Sequence, residues 1–139
     1  MQDDIIHGSC VAHGGKAVLI LGASGAGKSG LALELMALGA TLVADDRVML
    51  YRQAETLIAR APEALRGRIE ARFVGILNAR TEDEAPLELI VDLDQKERDR
   101  LPPFRSKEIL GISLPVLHNV DTGCFPAAIL QYLRAGRSD

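Results

Sequence analysis

Apolar and polar positions near the start of the chain predict a pair of strands. Residues 9–12 and 17–21 are mostly apolar, and they flank a His-Gly-Gly-Lys corner at residues 13–16. Two adjacent glycines suit a hairpin turn because glycine adopts positive φ without a steric penalty. The pattern therefore predicts two short strands joined by a tight turn.

A helix is predicted after the second of these strands. Leu31, Leu35 and Leu38 recur at the spacing that places side chains on one face of an α-helix. Gly39 follows them, at the place where a helix C-terminus favours a residue in the left-handed conformation. We therefore predict one helix over residues 29–38, with the three leucines on the same face.

The rest of the chain predicts more strands than helices. Strands are indicated at residues 41–46, 47–53, 55–60, 87–93 and 112–117, an apolar stretch lies near residues 73–77, and a final helix is indicated at residues 126–133. This balance favours an α/β or α+β domain with a mixed sheet over a long alternation of strands and helices. No repeat or linker divides the sequence, so we expect a single domain over residues 1–139.

Composition excludes several classes of protein. Of the 139 residues, 25% are charged and 47% are apolar, which is typical of a soluble globular domain. The net charge of −3 argues against a protein that coats nucleic acid. No apolar run approaches the ~20 residues of a membrane span, and the acidic N-terminus does not resemble a secretory signal. We therefore expect a cytoplasmic protein with no nucleic-acid or membrane partner.

The two cysteines give no sign of a disulfide or a zinc site. Cys10 and Cys124 lie far apart in the sequence, and neither belongs to a CxxC pair. We expect both to be buried free thiols.

One glycine-rich segment matches the GxxxxGK[ST] pattern of phosphate-binding loops. It consists of Gly22, Ala23, Ser24, Gly25, Ala26, Gly27, Lys28 and Ser29. Small residues let the loop wrap closely around phosphates and offer them backbone N–H groups, and the helix that follows adds its positive dipole end. In such a loop the lysine reaches the β- and γ-phosphates and the serine hydroxyl binds Mg²⁺. Because the segment joins an apolar strand to an amphipathic helix, we predict an α/β P-loop domain.

A phosphate-binding loop usually works with an acidic residue at the end of a neighbouring strand. Asp92 ends the run Leu-Ile-Val-Asp, which is typical of a general NTPase, whereas Asp45 and Asp46 end the run Leu-Val-Ala-Asp-Asp. A kinase needs a carboxylate that accepts the proton of the incoming hydroxyl, in addition to its metal site. Adjacent carboxylates can divide these tasks, although a solvated turn or a helix N-cap also explains such a pair.

The segment over residues 22–46 resembles the HPr kinase/phosphorylase family, in which the loop, the helix and Leu-Val-Ala-Asp-Asp follow one another without a gap. Upstream, His7 stands at the position of the family's active-site histidine. Downstream, the residues that match the family signature are Glu70, Arg72, Gly75 and Ile76. The resemblance covers about residues 5–78.

The resemblance implies an activity and its partners. The family consists of ATP-dependent protein serine kinases that use Mg²⁺, phosphorylate the phosphocarrier protein HPr and regulate the phosphotransferase system. The same enzymes catalyse phosphorolysis of the phosphorylated serine. The resemblance further implies a short form without the N-terminal domain of longer members, and a homo-oligomer, since family members are often hexamers.

The resemblance also implies roles for individual residues. Asp45 is expected to be the general base, and His7 is expected to lie beside it. Lys28 and Arg72 are expected to neutralise charge on the transferred phosphoryl group. The residues expected near the metal are Ser29, Asp46 and Glu70.

The sequence departs from the family in ways that keep other functions open. Phe73 stands where the signature has glycine, and the arginine-rich segment that the family associates with phosphorolysis has no counterpart near the C-terminus. One alternative is a nucleotide-sensing protein that retains the loop with little catalysis. Another is a P-loop kinase or NTPase with a small-molecule acceptor.

Overall fold

The computed structural model describes residues 3–139, in which a large mixed sheet carries two α-helices. The strands of this range are β1 (Asp3–His7), β2 (Ser9–His13), β3 (Lys16–Leu21), β4 (Thr41–Ala44), β5 (Arg47–Gln53), β6 (Thr56–Arg60), β7 (Arg68–Ala71), β8 (Gly75–Asn78), β9 (Glu84–Lys96), β10 (Ser106–Ile109) and β11 (Ile112–Asn119). The helices are α1 (Lys28–Ala37) and α2 (Phe125–Ala135), with a short 3₁₀ turn at Glu63–Leu65.

Seven strands of the large sheet follow one another in the order β1-β5-β6-β9-β3-β2-β4. The central pair, β3 and β9, is parallel, and β11 also runs parallel to β9, whereas the other strand pairs are antiparallel. Strands β7 and β8 form a separate antiparallel hairpin. Because β3 and β9 are parallel, their carboxyl ends meet at one edge of the sheet, where the glycine-rich loop leaves β3.

The centre of the sheet is buried on both faces. Val18 and Ile20 of β3 pack with the buried faces of α1 and α2, whereas Ala17 and Leu19 point into a second apolar layer on the opposite face. A strand with two buried faces has no polar side, which explains the unbroken apolar run in this part of the sequence.

The predicted elements are confirmed, with small shifts at their ends. The first helix occupies Lys28–Ala37, and Gly39 has the expected positive φ of 112°. Leu31 and Leu35 are buried as expected, but Leu38 is 49% exposed because the helix ends before it. The sequence pattern missed β1, β7 and β10, which are short; β1 and β10 are largely exposed, and β7 alternates exposed and buried residues.

The expectation of two buried thiols is wrong for one of them. Cys10 is fully buried in β2, whereas Cys124 is exposed at the start of α2, and both are free. Burial raises the pKa of the Cys10 thiol well above its ordinary value, because the thiolate would lose its hydration.

A thiol reagent is therefore expected to distinguish the two cysteines. In the native protein a chromogenic disulfide reagent should modify Cys124 quickly and Cys10 only as the protein unfolds, since the reactive species is the thiolate. The number of thiols that react with and without denaturant measures this difference. The variant Cys124→Ser should have no fast-reacting thiol, and rapid reaction in that variant would contradict the burial of Cys10.

None of the helices within residues 3–139 is both long enough and apolar enough to span a membrane.

Candidate active site

The glycine-rich segment forms a tight loop between β3 and α1. Gly25 and Gly27 have φ angles of 86° and 102°, which lie in the left-handed region that favours glycine. This backbone path reverses the chain and starts α1 at Lys28, so that free N–H groups of the first helical turn point out of the loop. This shape is compatible with a phosphate-binding loop, and the binding of an anion there stays a prediction.

Lys28 folds back over the loop that carries it. Its side chain is 8% exposed, and Nζ donates hydrogen bonds to the carbonyl oxygens of Gly22 at 2.8 Å and Ala23 at 3.0 Å. These carbonyls hold a buried ammonium group at the mouth of the loop, where a phosphate oxygen can take over part of its hydrogen bonding.

Asp45 is buried directly below the start of α1. It is 6% exposed, and its Oδ1 accepts hydrogen bonds from the hydroxyl groups of Ser29 at 2.8 Å and Ser9 at 2.7 Å. Its Oδ2 accepts a hydrogen bond from the backbone N–H of Glu70 at 3.1 Å. Both oxygens of this carboxylate are therefore occupied by donors of the protein, and one of those donors is the loop serine.

Asp46 points in a different direction because the chain turns sharply there. Its φ of 71° is left-handed, a conformation that aspartate tolerates better than most residues. The turn is fixed by Gly8, whose N–H donates to the Asp46 carbonyl at 3.1 Å. Gly8 has little room for a side chain, since a Cβ at this position would lie 2.8 Å from the Ile20 carbonyl oxygen.

His7 precedes Gly8 and lies beside Asp46 rather than beside Asp45. Its Nε2 is 3.2 Å from Oδ1 of Asp46, and both side chains are more than half exposed. The expectation that the histidine accompanies the first aspartate is thus wrong for the contact itself. Asp45 faces the phosphate loop, whereas Asp46 is exposed and contacts His7.

The β7–β8 hairpin forms another wall of the site. Glu70 is exposed on β7, and Arg72 is the first residue of the hairpin turn. Phe73, which replaces the glycine of the family signature, has a φ of 67° and a fully exposed side chain. This position therefore keeps the backbone shape that glycine allows, although a phenylalanine occupies it.

These elements surround one cavity of about 670 Å³. The predicted site residues that line it are His7, Ser24, Gly25, Gly27, Lys28, Ser29, Asp45, Asp46, Glu70 and Arg72. Gly22, Ala23 and Ala26 belong to the loop but do not line the cavity. Asp92, the other acid considered for the metal, is also absent from the lining, and its carboxylate accepts the backbone N–H of Asp94 at 3.0 Å. The cavity therefore favours the aspartate pair over Asp92.

The oxygen atoms around Ser29 suit Mg²⁺. The Ser29 hydroxyl and the Asp45 carboxylate are hard oxygen groups held 2.8 Å apart at the base of the loop. Within residues 3–139, no three His, Cys, Asp or Glu side chains converge to form a metal site. Mg²⁺ beside phosphates usually takes one or two protein ligands and completes its shell with phosphate oxygens and water. This donor set therefore fits Mg²⁺ that arrives with a nucleotide.

Sequence reasoning missed some residues of the site. Ser9 contacts Asp45 and also lines the cavity. The other lining residues that were not predicted are Gly30, Leu33, Leu65, Arg68 and Ile69, whereas Ile76 also lines the cavity and belongs to the family signature. A single serine at the start of a strand carries no local signal of function. Its role becomes visible only when β2 brings it against a carboxylate that is 36 residues away in sequence.

Comparison with known proteins finds related sequences. Residues 1–124 match the family described as HPr Serine kinase C-terminal domain. An HPr kinase/phosphorylase of Caldicellulosiruptor bescii is 40% identical over an alignment of 124 residues that covers 80% of this chain and 40% of the relative. An HPr kinase/phosphorylase of Azoarcus sp. is 42% identical over an alignment of 124 residues that covers 79% of this chain and 40% of the relative. The chain thus spans about 40% of the length of the curated relatives it matches.

A solved structure shows the same fold. The Hpr(Ser) kinase/phosphatase from Coxiella burnetii superposes with a TM-score of 0.78 over 94% of both chains, at 24% identity. The α/β mixed sheet predicted from the sequence is confirmed by this likeness. Taken with the match over residues 1–124, it shows that the chain belongs to the family of HPr serine kinase C-terminal domains.

Proposed function

We propose that this protein is an ATP-dependent serine kinase whose acceptor is an HPr-type phosphocarrier protein. The proposal rests on one observation: two carboxylates with different surroundings border the same cavity. A buried carboxylate faces the phosphate loop, and a second, exposed carboxylate pairs with His7 at the cavity. A site that only hydrolysed or sensed nucleotide would need the first arrangement but not the second.

The phosphate end of the site has three parts. The loop amides and Lys28 would hold the β- and γ-phosphates, and Ser29 with Asp45 would hold the Mg²⁺ that accompanies the nucleotide. When bound, this ion neutralises negative charge on the phosphate oxygens. Glu70 lines the adjacent wall of the cavity, and its exposed carboxylate is the further acidic group that would serve the metal.

The acceptor end is formed by Asp46 and His7. We propose that the roles expected for the two aspartates are exchanged, so that Asp46 accepts the proton of the acceptor hydroxyl and Asp45 serves the metal. The carboxylate of Asp45 is buried and already accepts three hydrogen bonds, whereas that of Asp46 is 62% exposed and borders the cavity. His7 lies against Oδ1 of Asp46, and in this proposal the other carboxylate oxygen would accept the proton.

The reaction follows from these positions. The acceptor serine oxygen forms a bond to the γ-phosphorus, the bond from that phosphorus to the β–γ bridging oxygen breaks, and ADP leaves. The hydroxyl proton passes to Asp46. Negative charge on the transferred group is neutralised by Lys28 and by Arg72 on the hairpin turn. The same carboxylate returns a proton to serine in the reverse reaction with inorganic phosphate, which yields pyrophosphate.

The identity of the acceptor is supported by the relatives. Their names state that they act on HPr, and the residues that build the cavity all lie within the matched range of residues 1–124. Assembly into a hexamer stays a prediction from the family.

Labelled ATP, Mg²⁺ and purified HPr test the proposal directly. We expect transfer of the γ-phosphoryl group to one serine of HPr, which phosphopeptide mass spectrometry would locate. The control acceptor is HPr with that serine replaced by alanine, which should remain unlabelled. Release of phosphate with no labelled protein would indicate an NTPase, and tight ATP binding with neither product would indicate a nucleotide sensor; either result rejects the proposal. Serine-phosphorylated HPr incubated with phosphate tests the reverse reaction by the appearance of pyrophosphate.

A further inference from the structure

Ser9 is buried at the junction between the phosphate loop and the aspartate pair. It is the first residue of β2 and is 1% exposed. Its hydroxyl donates to Oδ1 of Asp45 at 2.7 Å, which is the shortest of the three hydrogen bonds that this carboxylate accepts. A hydroxyl that is almost fully buried needs a hydrogen-bond partner within the protein, and the Asp45 carboxylate is that partner for Ser9.

The three donors to Asp45 differ in what they can do when nucleotide binds. Ser29 donates from α1, and in the proposed mechanism its oxygen also faces Mg²⁺. The Glu70 N–H donates to the opposite oxygen, from the β7 wall. Ser9 is the second donor to Oδ1, it has no proposed contact with the metal, and it comes from β2, which lies between β3 and β4 in the sheet.

We infer that Ser9 is a positioning residue that fixes the Asp45 carboxylate toward Ser29 and thereby sets the affinity of the site for Mg²⁺-nucleotide. The inference rests on the proposed function for the metal role of Asp45, but it does not depend on the identity of the acceptor. Without the Ser9 hydroxyl, Oδ1 would keep only its hydrogen bond from Ser29, while Oδ2 would still accept the Glu70 N–H. The carboxylate would then be held less firmly in the orientation that faces Ser29. Groups that orient a metal-binding side chain typically contribute ~10- to 100-fold in metal affinity or activity.

A matched pair of variants isolates the hydroxyl. Ser9→Thr keeps the hydroxyl and adds a methyl group, whereas Ser9→Val has nearly the same shape without the hydroxyl. The cost of packing the added methyl group is therefore common to both variants. The difference in ATP affinity between them reports the hydrogen bond to Asp45. ATP affinity is measured by calorimetry at stepped Mg²⁺ concentrations, and again in EDTA, with the melting temperature recorded for each variant.

We expect the Mg²⁺ concentration for half-maximal ATP binding to be at least ~10-fold higher in Ser9→Val than in Ser9→Thr. ATP affinity in EDTA should be equal in the two. Equal Mg²⁺ dependence in both variants would overturn the inference, even if Ser9→Val melts at a lower temperature, because a structural role alone moves only the melting temperature. If the added methyl groups unfold both proteins, Ser9→Ala compared with the wild type decides the question by the same readout.

Failure of the proposed function gives a different result. A wild-type protein that binds ATP with Mg²⁺ but labels no HPr would reject the acceptor, and the Ser9 comparison would still be decided by calorimetry.

Discussion

Asp46→Asn is expected to lower phosphoryl transfer to HPr by ~10²- to 10⁴-fold while leaving Mg²⁺-dependent ATP binding unchanged, because it removes the proton acceptor without touching the phosphate loop. Asparagine is the appropriate replacement. It keeps the size of the side chain and also tolerates the left-handed backbone that Asp46 adopts at φ 71°. Rates of transfer and calorimetric ATP affinities measure the two effects.

Asp45→Asn provides the contrasting variant. An amide at this position would put an N–H₂ group against at least one of the hydrogen-bond donors that now face the carboxylate, from Ser9, Ser29 and the Glu70 backbone. We expect the variant to lose Mg²⁺-dependent ATP affinity and to be destabilised by about 1–3 kcal/mol. Near-normal transfer by Asp46→Asn, with ATP binding retained by Asp45→Asn, would restore the roles that the family resemblance first implied.

The difference between the two aspartates shows where sequence reasoning ends. A functional pair could be proposed from the sequence, because two acids follow a buried strand near a phosphate loop, although a solvated turn or a helix N-cap also explained the pattern. Their directions were not predictable, since the direction of each side chain depends on the turn at Asp46. That turn is held by the N–H of Gly8, which is 38 positions earlier in the chain, and the same contact brings His7 to Asp46.

Long-range pairing also explains which parts of the fold the sequence pattern missed. Strands β2 and β3 and helix α1 carry their own signals, because apolar periodicity and glycines determine them locally. Strand β1 is a mostly exposed edge strand, and its antiparallel hydrogen bonding to β5 holds it in the extended conformation. The β7–β8 hairpin turns at Phe73, a residue that local preference would exclude from positive φ. Such elements follow from tertiary contacts and not from the residues alone.

Lys28→Met is expected to reduce transfer by ~10²- to 10³-fold and to weaken ATP binding, since it removes a preorganised cation from the place where phosphate charge develops. The Nζ group of Lys28 is held by the carbonyls of Gly22 and Ala23, so its position is set before nucleotide arrives. Methionine keeps the length and much of the apolar stem. The loss of transfer and of ATP affinity therefore reflects the missing charge and hydrogen bonds of Lys28 more than a change in packing.

Lys16→Met is the matched control for this variant. Lys16 is exposed at the β2–β3 turn, at the opposite end of β3 from the phosphate loop, and it does not line the cavity. Its replacement removes the same charge from the protein without altering the site, so transfer and ATP affinity should remain at wild-type values. Equal losses in both variants would mean that overall charge, rather than the position of Lys28, governs nucleotide binding. A Lys28→Met protein with normal turnover would remove the loop lysine from the mechanism, because no other lysine lines the cavity in the described part of the chain.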